Sequence, residues 1–269
     1  VYLDLVSLIK SKAKIDKINV ISKEIDINQL KNIVIKTKPS NLNSFITNKI
    51  SDGVLIANFD FYINADQKID NFIARGDVAR MDAIINNDLK LKNTNFNFFA
   101  DSTDILIKNI SSETEGFKIK SGNLKINKNQ GANLEFDFNT DINIDKKNIS
   151  KYLPFLKDIN LINRDTNFNA NLNHFLKISF DKTFKINEFT YTNKGKIKEL
   201  FVKLDKSIKS SFLENDIDFL FFKDSDLSIR YSSDKKNYIN TKGSYSIDNK
   251  DYHNYNFENN FLSKTSDIN

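Results

Sequence analysis

A chain of 269 residues is long enough to bury a core, as one large β domain or two ordinary ones. Its 39% hydrophobic and 28% charged residues include 23 Phe, which argues against disorder, because large apolar side chains are present to offset the entropy of folding. The net charge of +5 is spread as Lys interleaved with Asp and Glu, unlike the concentrated basic stripe of a nucleic-acid binder, and the absence of Cys excludes disulfides and thiolate metal sites.

The first candidate strand covers residues 15–25, and residues 27–35 (INQLKNIVI) then offer one or two helical turns. Period-two alternation follows, which places one set of side chains on each face of a strand. Leu55, Ala57, Phe59, Phe61 and Ile63 share one face, as do Phe96, Phe98 and Ala100. Leu134, Phe136, Phe138, Ile142 and Ile144 fall on one parity with Thr140 among them, while Glu135, Asp137, Asn139, Asp141, Asn143 and Asp145 fall on the other. A helix would spread those polar residues around its circumference, so this segment is a strand with one apolar and one wet face. Residues 147–156 (KNISKYLPFL) are a second helical candidate, capped by Asn148 or Ser150 and limited by Pro154.

Alternation resumes with Phe168, Ala170 and Leu172, then Leu176, Ile178 and Phe180, then Leu200, Val202 and Leu204. Ile217, Phe219 and Phe221 come next, then Leu227, Ile229 and Tyr231. Turn-forming groups stand at residues 86–88 (NND), 129–131 (NQG), 193–195 (NKG) and 248–250 (DNK). The tail after Tyr231 is weakly patterned. The expectation is a mostly all-β meander of antiparallel hairpins with one or two short helices. The two helical candidates divide it into units 1–146 and 147–269.

Chemistry is poorly represented. No phosphate-cradling glycine loop, nucleophile elbow, zinc-protease helix or C-x-x-C occurs, and there are seven Gly in all. Glu113 and Glu115 are a close acidic pair in a hydrophilic turn, where solvation is the simpler reading. Asp137, Asp141 and Asp145 lack the glycine-turned loop of a calcium site. His174 and His253 stand far apart and read as ordinary surface or core residues. The expectation is a non-enzymatic protein without metal or cofactor. No segment approaches the ~20 apolar residues of a membrane-spanning helix. The opening on Val1 and the polar end at Asn269 read as a segment of a longer protein, any anchor lying outside it.

Every strand offers an apolar face rich in Phe, and no long helix is available to cover it. A sandwich, a barrel or an open groove filled by another apolar body each answers that need. Residues 116–126 (GFKIKSGNLKI) lead into the strand at 134–144 and the helical candidate at 148–156, and the opening 15–30 (IDKINVISKEIDINQL) leads into 51–63. This order of elements resembles the AsmA-like bridge-like lipid transfer family, the bacterial group that includes YhdP and TamB. The resemblance covers residues 14–205 and rests on pattern, with no invariant motif.

It implies a twisted, U-shaped repeating β-groove whose apolar interior takes phospholipid acyl chains. It also implies a periplasmic body anchored to the inner membrane by a further segment, an outer-membrane protein partner, and movement of phospholipid toward the outer membrane. The groove-lining positions it implies are the apolar parities named above: Leu55, Ala57, Phe59, Phe61, Ile63, Phe96, Phe98, Leu134, Phe136, Phe138, Ile142, Ile144, Phe168, Leu172, Ile178, Phe180, Val202, Leu204, Phe219, Phe221 and Ile229. The alternative is a structural or adhesive β-sandwich or solenoid whose apolar face is simply core. An outer-membrane barrel is disfavoured by the absence of Trp, the scarcity of Gly and the lack of aromatic girdles.

Overall fold

A computed structural model describes residues 2–3, 15–85, 89–128, 131–144, 162–183, 185–209, 216–260 and 265–268. Among these, the strands are β1 (Tyr2–Leu3), β2 (Ile15–Ile21), β3 (Ile25–Asp26), β4 (Ile50–Ile63), β5 (Ile69–Ile84), β6 (Lys90–Ala100), β7 (Asp104–Glu113), β8 (Phe117–Asn127), β9 (Ala132–Ile144), β10 (Ile162–Phe180), β11 (Ile186–Ile208), β12 (Ile217–Ser232), β13 (Tyr238–Ser246), β14 (His253–Asn260) and β15 (Thr265–Ile268). The helices are α1 (Ile27–Val34) and α2 (Asn41–Lys49). Strands pair in chain order from β1 to β15, with β3 set off this path on β4. The chain is therefore a mostly all-β antiparallel meander with two short helices.

It divides into two units: Val1–Glu113 with Gly122–Leu134 and Asp181–Phe184, and Thr114–Ser121 with Glu135–Phe180 and Lys185–Asn269. In the first, α1 starts where Asp26 interrupts the strand. The Asp26 carboxylate accepts from the Asn28 and Gln29 amides at 2.8 and 2.9 Å, and the Gln29 side chain accepts in return from the Asp26 amide, a capping box. Ile27 packs with Ile50 and Ala83, joined by Leu30, Phe45, Ile46 and Met81, so both helices cover the apolar ends of β4 and β5. The helix α2 is a departure from the sequence expectation, as is the strand structure after Tyr231 in β13, β14 and β15. The helical candidate at 147–156 lies outside the described residues, as do the turns at 86–88 and at Asn129 and Gln130.

One expected turn is not a turn. Asn193, Lys194 and Gly195 lie in the middle of the 23-residue β11, paired with His174, Asn173 and Leu172 of β10 and with Ile229, Ser228 and Leu227 of β12. Turn-prone residues are tolerated there because the flanking strands supply ladder partners on both sides, and tertiary pairing overrides local preference. The turn at 248–250 is present, with the Asp248 carboxylate accepting from the Lys250 and Asp251 amides.

Bulges recur across the first unit. Arg80, Asn93 and Asn109 have φ of 52°, 48° and 55°, and the pairing register shifts at each. A bulge adds one residue to a strand and frees a backbone N–H. Here an adjacent strand catches it: the Arg80 amide donates to Asn95 Oδ1 at 3.0 Å, the Asn93 amide to Asp82 Oδ1 at 2.8 Å, and the Asn109 amide to Asn123 Oδ1 at 3.4 Å. Part of the abundant Asn and Asp on the wet face thus completes the backbone. Asp60, 5% exposed on the same wet face, holds Lys17 at 3.0 Å, Arg75 at 3.5 Å and the Asn19 amide at 2.6 Å. The Asn19 hydrogen bond and then Lys17 lower the Asp60 pKa, and Asp60 in turn raises that of Lys17.

Candidate functional site

Residues directly opposite in an antiparallel pair share a face. Register therefore assembles the apolar face of the first unit row by row. Val20, Phe59, Ala74, Ala100 and Ile105 form one row across β2, β4, β5, β6 and β7. Ala57, Gly76, Phe98 and Ile107 form the next, and Leu55, Val78 and Phe96 the one after. Phe61 pairs with Ile18 and Phe72, extending the face the other way, and Ile63 closes β4 opposite Ile69. The seven sequence-predicted positions from Leu55 to Phe98 are thus brought together.

Gly76 makes this face close-packed. A Cβ there would lie 2.1 Å from the Ile56 carbonyl oxygen, 2.9 Å from Ala57 Cα and 3.0 Å from Phe98 Cε1, so the Phe98 ring lies over the bare glycine. Ala57 and Ala74 are buried, yet Leu55, Phe59, Phe61, Phe96 and Phe98 stay half-buried and Val20 is 46% exposed. The small residues are buried and the rings around them are only partly so. A sealed sandwich core would bury these rings fully.

The second unit builds a comparable face. Ala170, Leu172 and Ile197 form its buried centre, with Ile142, Phe168, Leu200 and Leu227 packed around them. Phe136 stacks on Phe138 at 4.4 Å between ring centroids, and Phe138 stacks on His174 at 4.4 Å. Ile178 pairs with Phe189, Phe180 with Ile186, and Val202 with Thr166 and Leu220. Ile144, Val202 and Leu204 are buried; Leu134, which belongs to the first unit, is half-buried.

Two predicted positions fall on the other side. Phe219 pairs with Lys203 and Phe221 with Phe201, so both lie opposite the face that carries Val202, Leu220, Phe222, Leu227 and Ile229. The reason is a bulge. Asp224 has φ of 47°, and the register between β12 and β13 shifts between Lys223 and Asp226. The extra residue exchanges the parity of β12, so Ile229 and Phe221, both odd-numbered, point to opposite sides. Phe201, Phe219 and Phe221 form their own aromatic cluster there, with centroids 5.0 to 6.4 Å apart.

Sequence reasoning also passed over a polar island in the second unit's apolar face. His174 Nε2 lies 2.8 Å from Thr140 Oγ1, and His174 Nδ1 lies 2.9 Å from the Tyr191 hydroxyl and 2.8 Å from Asn193 Nδ2. Burial lowers the His174 pKa to about 4 and raises that of Tyr191, so both are neutral near pH 7. Thr140 and Asn193 are buried. The signal was present as polar residues on an apolar parity: Thr140 between Phe138 and Ile142, and His174 between Leu172 and Leu176.

Among the described residues no group of His, Cys, Asp or Glu is arranged to hold a metal, and no helix is long and apolar enough to cross a membrane. Comparison with known proteins finds no matching family model, no matching curated protein and no matching solved structure.

Proposed function

We propose that this chain is a non-enzymatic lipid-binding segment whose apolar sheet faces hold phospholipid acyl chains. The reading extends to a periplasmic conduit, part of a bacterial envelope protein anchored to the inner membrane and passing phospholipid toward the outer membrane. One observation carries it: within each unit, rows of Phe, Leu and Ile join into an apolar face whose rings remain partly exposed. Contiguous apolar surface of this kind calls for an apolar occupant. Acyl chains suit it, because they are flexible enough to follow a corrugated face of Phe rings and need no hydrogen bonds from it. In the first unit the other face, with its Asn and Asp side chains bound to bulged backbone and to Lys, stays in water.

Organic extraction of the chain purified from lipid-replete cells, followed by mass spectrometry, tests the reading. Phospholipid in stoichiometric range is the expected result. Its absence from chain that is folded by circular dichroism favours a structural or adhesive β module instead.

A further inference from the structure

The even spread of charge read from the sequence has one exception. Residues 27–49, from the start of α1 to the end of α2, hold Lys31, Lys36, Lys38 and Lys49 and no Asp or Glu. They supply four of the chain's five net positive charges, because the other 36 basic residues nearly balance the 35 acidic ones. No ion pair among the described residues engages any of the four. Asp26, the acid that precedes them, caps the far end of α1, roughly 12 Å of helix from Ile35.

The same segment exposes carbon. Ile27, Leu30 and Val34, spaced i, i+3, i+7, are the side of α1 that is turned inward. Ile33 and Ile35 lie off that stripe and stand 51% and 71% exposed. They end the helix, and every residue from Ile35 to Asn41 is exposed, Lys36 and Lys38 among them. The tip is nevertheless fixed. The Asn43 side-chain amide donates to the Lys38 carbonyl at 2.8 Å and to the Thr37 hydroxyl at 2.9 Å, and that hydroxyl donates to the Val34 carbonyl at 2.8 Å. A surface that binds here meets a turn whose ordering is already complete.

We propose that this tip docks on an anionic phospholipid bilayer, its isoleucines entering the headgroup layer while Lys36 and Lys38 meet the phosphates. Charge complementarity and exposed carbon together point to that occupant. A lysine is a point charge without directional demand, and a fluid array of phosphates meets it at any spacing. A nucleic acid suits the tip less well. The segment has no Arg, and its one aromatic ring, Phe45, is packed in the core and cannot stack on a base. The proposal stands apart from the acyl-chain reading, since contact through the tip asks nothing of the sheet faces.

The test is co-flotation of the full chain with vesicles of phosphatidylcholine alone and of phosphatidylcholine with one-third phosphatidylglycerol, at physiological and at high salt. The unaltered chain is expected to float with the anionic vesicles, to ignore the neutral ones and to be released by high salt. Lys36→Gln with Lys38→Gln is expected to weaken binding about 25-fold, at about fivefold for each lysine. Ile35→Ser, at an exposed position, is expected to weaken it about tenfold. Lys235→Gln with Lys236→Gln makes the same change of charge in the exposed turn between β12 and β13, and should leave binding as it was. Equal flotation with both vesicles, or with neither, overturns the proposal without any variant having to fold. Anionic binding that survives the Lys36 and Lys38 changes, or that falls as much with the Lys235 and Lys236 changes, also overturns it. So does a single-stranded oligonucleotide that binds through Lys36 and Lys38 while the vesicles are ignored, which would make the partner a nucleic acid.

Discussion

The ring of Phe138 lies on the imidazole of His174, centroids 4.4 Å apart and planes within 8° of parallel. The stack covers one side of the imidazole, and desolvation makes the protonated form expensive. An aromatic residue on β9 is thus part of the burial that keeps a histidine on β10 neutral.

A pH dependence follows. The His174 pKa is about 4 in the folded chain against an ordinary 6.5. Between those values the unfolded chain binds a proton that the folded chain refuses, so stability falls as pH falls. The contribution is complete above pH 6.5 and lost as pH drops through 4. Discounted for the ring's partial exposure, the loss is on the order of 2 kcal/mol. Asp234 and Asp248, held at about 2 by hydrogen bonds led by the Ser232 hydroxyl and the Lys250 amide, add their losses only below 3.8. Urea unfolding at pH 7, 6, 5 and 4.5 reads the first window, and His174→Gln is expected to flatten it. An unchanged slope in the variant would place the titrating group elsewhere.

The bulge at Asp224 makes a second prediction. Deleting Asp224 restores strict alternation through β12 and forces a choice between its halves. Either Leu220 and Phe222 or Leu227 and Ile229 must leave the apolar face. The deletion is expected to lower stability by about 2 kcal/mol, as moving two half-buried side chains off the face implies. Asp224→Gly keeps the bulge and relieves a positive φ, so it is expected to be neutral or stabilising by up to about 1 kcal/mol. Thermal melts of the two variants distinguish them, and a deletion that melts like the parent refutes the face assignment.

The same bulge shows how far the sequence could be read. The alternation in Leu55–Phe61 survived folding because the register of β4 on β5 runs unbroken from Val54 to Tyr62, and the predicted helix at 27–35 formed because Asp26 and Gln29 cap it. Phe219 and Phe221 were assigned to the wrong side because a bulge is a backbone event, and Asp224 in αL looks like any other Asp in a polar stretch. The apolar face of β5 went unread because Ala74 and Gly76 are small; their value lies in what crosses above them. Helix α2 was hidden by Asn, Ser and Thr, poor helix formers, although Ser40 after Pro39 is a start signal: its hydroxyl accepts from the Asn43 amide at 3.1 Å. The island left a trace in Thr140 and His174 on apolar parities, but its assembly needs the pairing of strands that sequence alone does not give.

Gly76 is open to direct substitution. Gly76→Ala places a methyl 2.1 Å from the Ile56 carbonyl oxygen, a backbone atom that cannot swing aside as a side chain can. The pair β4 and β5 must separate locally, and the expected cost is about 2–3 kcal/mol. Gly195→Ala meets the Asn171 carbonyl oxygen at the same distance in the second unit and is expected to behave alike. Denaturant midpoints measure both; a loss below 0.5 kcal/mol at either site would mean that the sheet relaxes there without strain.

The last prediction separates a lipid-bearing face from an ordinary core. In a sealed core, a charge at Phe138 loses its water and the unit unfolds, at a cost of several kcal/mol. On a half-exposed face the new carboxylate can turn toward water, which lowers the penalty, while an acyl chain crossing it meets a polar barrier. Phe138→Asp is therefore expected to keep its β-sheet circular dichroism and to lose most of its phospholipid. Its loss of the stack on His174 gives a second readout, because the imidazole regains solvent and its pKa moves back toward 6.5, visible in the histidine ring resonances. Asp141→Asn is the control on the wet face; it removes a partly exposed pair with Lys120 at 2.9 Å, and such pairs contribute at most about 1 kcal/mol. It should change neither fold nor lipid. If Phe138→Asp unfolds the chain while Asp141→Asn does not, Phe138 belongs to a sealed core and the structural reading gains. If it folds and carries lipid as before, acyl chains do not pass over Phe138, and the occupied surface must be sought among the rows around Phe59 and Phe98 of the first unit.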